Sequence, residues 1–184
     1  MKKITSLIER DKEFSASLET AVALLSSEQK LPIAVNGLSG GAHYAYIAEM
    51  TRRLYAKCGA PVLIVADCES EGNKITALLN STGIRAARYL SRELVFHNIS
   101  ASHDNERERL SVLLSVLEGG VEAVVTTPDA LISVTVPREL LSRLVTNLEL
   151  GVEISPEELT ERLVTLGFAR CDTVEAPGRC RPFR

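Results

Sequence analysis

Apolar positions recur along this chain at two periods, one helical and one strand-like. Phe14, Leu18, Val22 and Leu25 fall at helical spacing and predict an amphipathic helix over residues 14–28. Residues 31–36, Leu-Pro-Ile-Ala-Val-Asn, read as a short apolar strand running into Gly37, and a helix is expected from Ala42 to about Lys57. Residues 60–67 are almost continuously apolar, the pattern of a strand buried on both faces of a parallel sheet. A helix is expected from Glu69 to Asn80, stopping near Gly83, then a weaker strand over 84–90 and an irregular stretch over 91–102. Residues 105–118 predict a helix with Leu110, Leu113, Leu114 and Leu117 on one face, closed by Gly119 and Gly120. Residues 121–127 form another buried strand, which Pro128 ends. This alternation predicts an α/β domain over 1–136, with a mostly parallel sheet and flanking helices.

The pattern changes past residue 137. Residues 144–150 are expected to be extended. Ser155-Pro156-Glu157-Glu158 is a helix start, with Ser as N-cap, Pro at the first position and acids in the first turn. That helix should end at Gly167, followed by a strand over 168–175, a turn over 176–178 and a basic tail over 179–184. Residues 137–184 thus read as the start of a smaller α+β domain.

Composition narrows the function classes. The chain has 184 residues and is 45% apolar, enough for a core, but only 4% aromatic without Trp, so that core must be Leu, Val, Ile and Ala. A net charge of −3 argues against a free-standing nucleic-acid binder. No apolar run approaches the ~18 residues of a membrane-spanning helix. Glu9, Arg10, Asp11 and Lys12 follow the N-terminal lysines too soon for a signal-peptide core, which points to the cytoplasm. Cys58, Cys68, Cys171 and Cys180 show no C-x-x-C pairing, so buried reduced thiols are expected. His97, His103 and Asp104 lack metal-ligand spacing.

The segment with the most chemical information is Asn-Gly-Leu-Ser-Gly-Gly-Ala-His-Tyr over 36–44. It has the layout of a phosphate loop, strand then glycines then helix. Aligning the G-x-x-x-x-G-K-[ST] pattern at Gly37 puts Ala42 at the second Gly, His43 at the Lys and Tyr44 at the Ser/Thr. Imidazole lacks the fixed charge and reach of an ammonium, and a phenol is too long to ligate magnesium where a small hydroxyl must. Gly37, Ser39, Gly40, Gly41, His43 and Tyr44 are therefore expected to be a degenerate loop with no cofactor and no catalytic residue. The rival is an ATP- or dinucleotide-binding enzyme using residues 37–41. The G-x-G-x-x-G fingerprint is absent there, and Asp67 alone favours that rival.

Four stretches, in order, resemble the N-terminal region of the bacterial transcription-repair coupling factor family and, more distantly, UvrB. They are residues 32–42, similar to a degenerate G-L-x-G-S-A loop, and residues 61–67. The third is Glu106, Arg109 and Leu110, as E-x-x-R-L, with residues 123–131 after them. The fourth, 159–178, resembles L-x-x-x-G-Y-x-R-x-D-x-V-x-x-x-G. The resemblance implies a P-loop-NTPase-like first domain with a dead nucleotide site and part of a second, UvrB-like domain. It implies a non-catalytic module for recruiting UvrA in nucleotide excision repair. RNA polymerase and DNA would be engaged only by parts of the family's full-length protein outside this chain. UvrB's long Tyr-rich hairpin has no counterpart between Leu90 and the next helix. Arg170, in the G-[FY]-x-R-x-D match, is the residue that the resemblance assigns to UvrA contact, beside Asp172. A second family Arg-Gly pair falls out of register here, with Arg181 a nearby substitute.

Overall fold

The computed structural model describes residues 12–25, 32–91, 99–145, 150–151, 153–166, 168–174 and 179–180. The chain divides into two compact units, the first ending at Val134 and the second beginning at Thr135.

In the first unit the order is α1 (Lys12–Leu25), α2 (Ala42–Cys58), β1 (Val62–Val65), α3 (Glu69–Ser81), β2 (Ala86–Tyr89), α4 (Ile99–Leu117), β3 (Ala123–Thr126) and α5 (Pro128–Ile132). The three strands form a parallel sheet in the order β1-β3-β2, with Val62 and Ala86 both level with Ala123. This is the expected α/β class. The latest strand enters the middle, so α3 and α4 cross on opposite faces, as right-handed crossovers require. One face packs Ala66, Ala123 and Val125 against Ile75 and Leu79 of α3 and Ala48 of α2. The other packs Tyr89, with Val124 and Ala87 at its side, against Val112 and Leu113 of α4 and Ala130 of α5. Leu79, Ala123 and Val125 are fully buried, so the small-residue core deduced from the composition is seen.

Several expectations are corrected. Residues 32–39 form no strand, and Ile33, Val35 and Leu38 lie at the surface. An apolar run becomes a strand only when a neighbour takes its backbone hydrogen bonds, and among the described residues no strand pairs with this one. Residues 26–31 lie outside the described residues. β1 is not buried on both faces: Leu63 and Val65 are about half exposed, because the strand lies at the sheet edge. α4 begins at Ile99 rather than 105, inside the stretch read as irregular, while residues 92–98 lie outside the described residues. Pro128 does end β3, but it also opens α5 as an N1 proline, an element absent from the sequence reading. Cys58 and Cys68 are exposed and Cys171 half-buried, all as free thiols; the expectation of burial fails because two of them stand at helix ends.

In the second unit α6 (Arg138–Leu144) was not foreseen, and it takes Leu144 out of the expected extended stretch, of which 146–149 are outside the described residues. α7 (Pro156–Thr165) starts as its sequence dictates: the Ser155 hydroxyl accepts the Glu158 amide at 3.4 Å, and Pro156 holds the first position. The expected 168–175 strand shrinks to β4 (Ala169–Arg170), which pairs in parallel with β5 (Arg179–Cys180), inside the stretch read as a tail. The turn residues 176–178 and the tail residues 181–184 lie outside the described residues.

Candidate functional site

Residues 37–44 connect the unpaired segment to α2. Gly37 and Gly40 take positive φ, +85° and +59°, which favours glycine there. The helix then starts without a side-chain cap: Ala42 N–H bonds Ser39 C=O at 3.2 Å, and Gly41 stands at the N-cap. One of the amides that an anion at a helix start would use is thereby spent within the loop.

His43 turns back on the loop. Its Nδ1 lies 2.8 Å from the Gly40 carbonyl oxygen, which only accepts, so Nδ1–H donates and the ring is held over the turn. Its Nε2 faces Glu71 of α3 at 3.8 Å. Tyr44 stacks against His43 with ring centroids 3.8 Å apart, and its phenol is close enough to the same carboxylate to be raised by it. Lys74 reaches Glu71 from one turn along α3, at 3.4 Å. The Glu71 carboxyl is held below its ordinary range, first by the Tyr44 hydrogen bond and then by Lys74, with its partial burial opposing. The Tyr44 phenol is raised, chiefly because it donates to Glu71 and then by burial and by the carboxylate's charge.

The two groups that stand where Lys and Ser/Thr would hold a triphosphate and magnesium thus lie beside a carboxylate. An ionised Glu71 beside the loop repels phosphate, and Lys74 is paired to that same carboxylate. Glu71 escaped the sequence reading: as an acid in a helix first turn it looks like a dipole partner, and no spacing announces its approach to His43 and Tyr44 on another helix. Behind the loop lies a cavity of about 600 Å³ lined by Phe14, Ile33, Val35, Leu38 and Tyr46, with Phe14 and Tyr46 packed edge to face at 4.9 Å.

At the carboxyl ends of β2 and β3 lies a second polar cluster. Glu69 pairs with Arg88 and accepts from Ser91 and Thr127, both at 3.4 Å. Arg109, 2% exposed, lies over the Tyr89 ring at 4.2 Å, donates to Leu90 C=O and leaves Nη2 without a hydrogen-bond partner. Within the E-x-x-R-L match, this Arg is a buried strut rather than a surface group, while Glu106 lies 3.8 Å from it. Among the described residues no three His, Cys, Asp or Glu side chains are grouped to hold a metal. His97 lies outside them, and so do the side chains of His103 and Asp104.

Arg170 and Asp172 are exposed in the second unit, and among the described residues no ion pair involves Arg170. Arg181 lies outside the described residues. The degenerate loop and the Arg170 segment therefore belong to separate units.

Fold and loop together define a class: an α/β module in which the helix before the first strand opens on a glycine turn, with His43 and Tyr44 where a phosphate loop has Lys and Ser/Thr. The chain also has a sequence relative. Over 147 residues, 77% of the chain, it is 28% identical to the transcription-repair-coupling factor of Bacillus subtilis (strain 168). The match spans 12% of that relative's length. No family model matches the chain.

Proposed function

We propose that this chain is a non-catalytic recruitment module of DNA repair. In this reading it works in the cytoplasm as the UvrB-like part of a coupling factor, contacts UvrA through the second unit around Arg170, and binds no nucleotide. The distant similarity to a transcription-repair-coupling factor supports the repair setting. The observation that carries the non-catalytic part is that the positions of the Lys and Ser/Thr hold His43, turned back onto the Gly40 carbonyl, and Tyr44, with the Glu71 carboxylate beside them. An exposed Arg with a planar fork suits a partner carboxylate.

Two measurements test the reading. In a pull-down with UvrA, Arg170→Ala should lose binding while His43→Ala keeps it. Removing one side of an interfacial charge pair costs about 2–5 kcal/mol when the partner's charge is left buried. Retention by Arg170→Ala with loss in His43→Ala would move the contact to the loop. In calorimetry, Mg-ATP should give no binding heat; saturable heat abolished by a bulky residue at Gly40 would instead support the nucleotide-binding rival.

A further inference from the structure

Asn36 and Gly37 are the only Asn-Gly pair in the chain. Both are exposed, in the unpaired segment that leads to α2. Among the described residues no hydrogen bond engages the Asn36 side-chain amide or the Gly37 N–H. Closing the Gly37 nitrogen onto the Asn36 side-chain carbonyl carbon makes a five-membered ring. The other described asparagines are held differently. Asn73 accepts from Arg88, and Asn80 exchanges two hydrogen bonds with the Ala86 backbone, at 3.0 and 3.1 Å. The residues that follow them, Lys74 and Ser81, lie within α3, where the helical ladder takes their N–H groups. Asn105 and Glu106 lie likewise within α4. Asn98 and Asn147 are outside the described residues.

We propose that Asn36 is a site of spontaneous covalent modification, deamidation through a succinimide formed with Gly37. The Gly37 nitrogen gives its proton to water or hydroxide and bonds to Cγ of Asn36, and the side-chain nitrogen leaves as ammonia. One water then opens the ring. Attack at Cγ breaks the new bond and leaves Asp. Attack at the main-chain carbonyl carbon breaks the original peptide bond and leaves isoaspartate, with the backbone rerouted through the side chain. The sum is asparagine and water giving an acid and ammonia, without oxidant, cofactor or enzyme. Glycine suits the step because no Cβ crowds the attacking nitrogen and its backbone is free to follow the ring.

The position gives the change a consequence. Asn36 and Gly37 help to line the cavity of about 600 Å³, beside Ile33, Val35, Leu38 and Tyr46. Either product sets a carboxylate at this apolar lining, where a charge resists burial. Isoaspartate also lengthens the main chain by one carbon just before the positive-φ turn at Gly37.

Ageing the whole folded chain in mildly alkaline buffer at body temperature, followed by tryptic digestion and mass spectrometry, tests this. Residues 31–52 form one tryptic peptide with Asn36 as its only amide side chain, while Asn73 and Asn80 fall in the peptides 58–74 and 75–85. The 31–52 peptide should gain the mass difference between an amide and an acid. It should separate into two forms on chromatography, one co-eluting with the peptide from Asn36→Asp, while the other two peptides keep their amides. Because the fold leaves Asn36 open, the rate should lie within roughly threefold of that in the urea-unfolded chain. Gly37→Ala should slow it at least about tenfold. The proposal is overturned if the folded chain keeps Asn36 intact while the unfolded chain loses it, or if Asn73 or Asn80 reacts as fast. A single acidic product without the isoaspartate form, or a Gly37→Ala chain that reacts at the original rate, would overturn it too.

Discussion

Two junctions in the first unit share one sequence pattern and end differently. In both, a short apolar run leads through small or polar residues into a helix: residues 32–41 into α2, and residues 62–68 into α3. At the second the run is a strand, its helix packs Ile75 and Leu79 into the core, and Gly72 sits where a Cβ would touch Ala66, Arg88 and Val125 at 3.8 Å. At the first the run is unpaired, and a Cβ at Gly37, Gly40 or Gly41 would meet nothing within 4 Å. Local pattern proposes a strand, and a neighbour with free amides and carbonyls decides it. The open junction is also the one with His43 and Tyr44 where a phosphate loop has Lys and Ser/Thr.

The widest difference between the junctions should be in stability. Leu79→Ala empties a fully buried position behind the closed junction and should cost about 2–5 kcal/mol. Val35→Ala at the open one, 39% exposed, should cost less than about 1 kcal/mol. Urea midpoints of the two variants measure this; equal losses would mean that residues 32–39 are packed in solution as a true strand.

Glycine replacement should then change sign between the junctions. Gly72 lies inside α3 with ordinary helical backbone, and the added methyl meets only normal van der Waals contacts. Gly72→Ala should therefore stabilise by about 0.5–1 kcal/mol. Gly37 has open space around it but a φ of +85°, so Gly37→Ala should destabilise by about 1–2 kcal/mol. Opposite shifts in melting temperature are the expected result. A neutral Gly37→Ala would mean that the turn relaxes freely, and that no loop geometry is being held.

The sheet was legible in the sequence because its strands are apolar runs followed by helices with clear stops: Gly83 and Gly119 both take positive φ after the helices they close. Leu79, Ala123 and Val125 sit in segments whose period alone predicts burial. The 31–36 strand was overread because pairing is a property of neighbours and not of the run itself. The half-bare face of β1 escaped for the same reason. α5 and α6 are too short, at 5 and 7 residues, to display a helical period. Of the candidate loop, the loss of Lys and Ser/Thr was readable residue by residue. Its tie to Glu71 was not, since that contact depends on how α2 and α3 meet. The burial of Arg109 was not legible, because sequence cannot show that a cation lies over the Tyr89 ring.

The smallest expected effect concerns that tie, and its sign follows from the two shifts. Glu71 titrates below its ordinary range in the folded chain. Its contribution to stability is therefore present above the unfolded carboxylate pKa and is lost as pH falls through the lowered folded value. Tyr44 titrates above its ordinary range, so its contribution holds below the unfolded phenol pKa and is lost as pH rises through the raised one. The Tyr44–Glu71 bond should thus favour the folded state on the broad plateau between acid and alkali. Both groups are near solvent, so the gain is small. Comparing wild type with Glu71→Gln by denaturant midpoint should show the wild type ahead near neutrality, with the gap narrowing in acid. Tyr44→Phe should remove the gap at all pH values if the phenol is the main partner. A gap that instead survives Tyr44→Phe would assign the tie to His43 and Lys74, and the loop would then be closed by charge and not by the phenol's hydrogen bond.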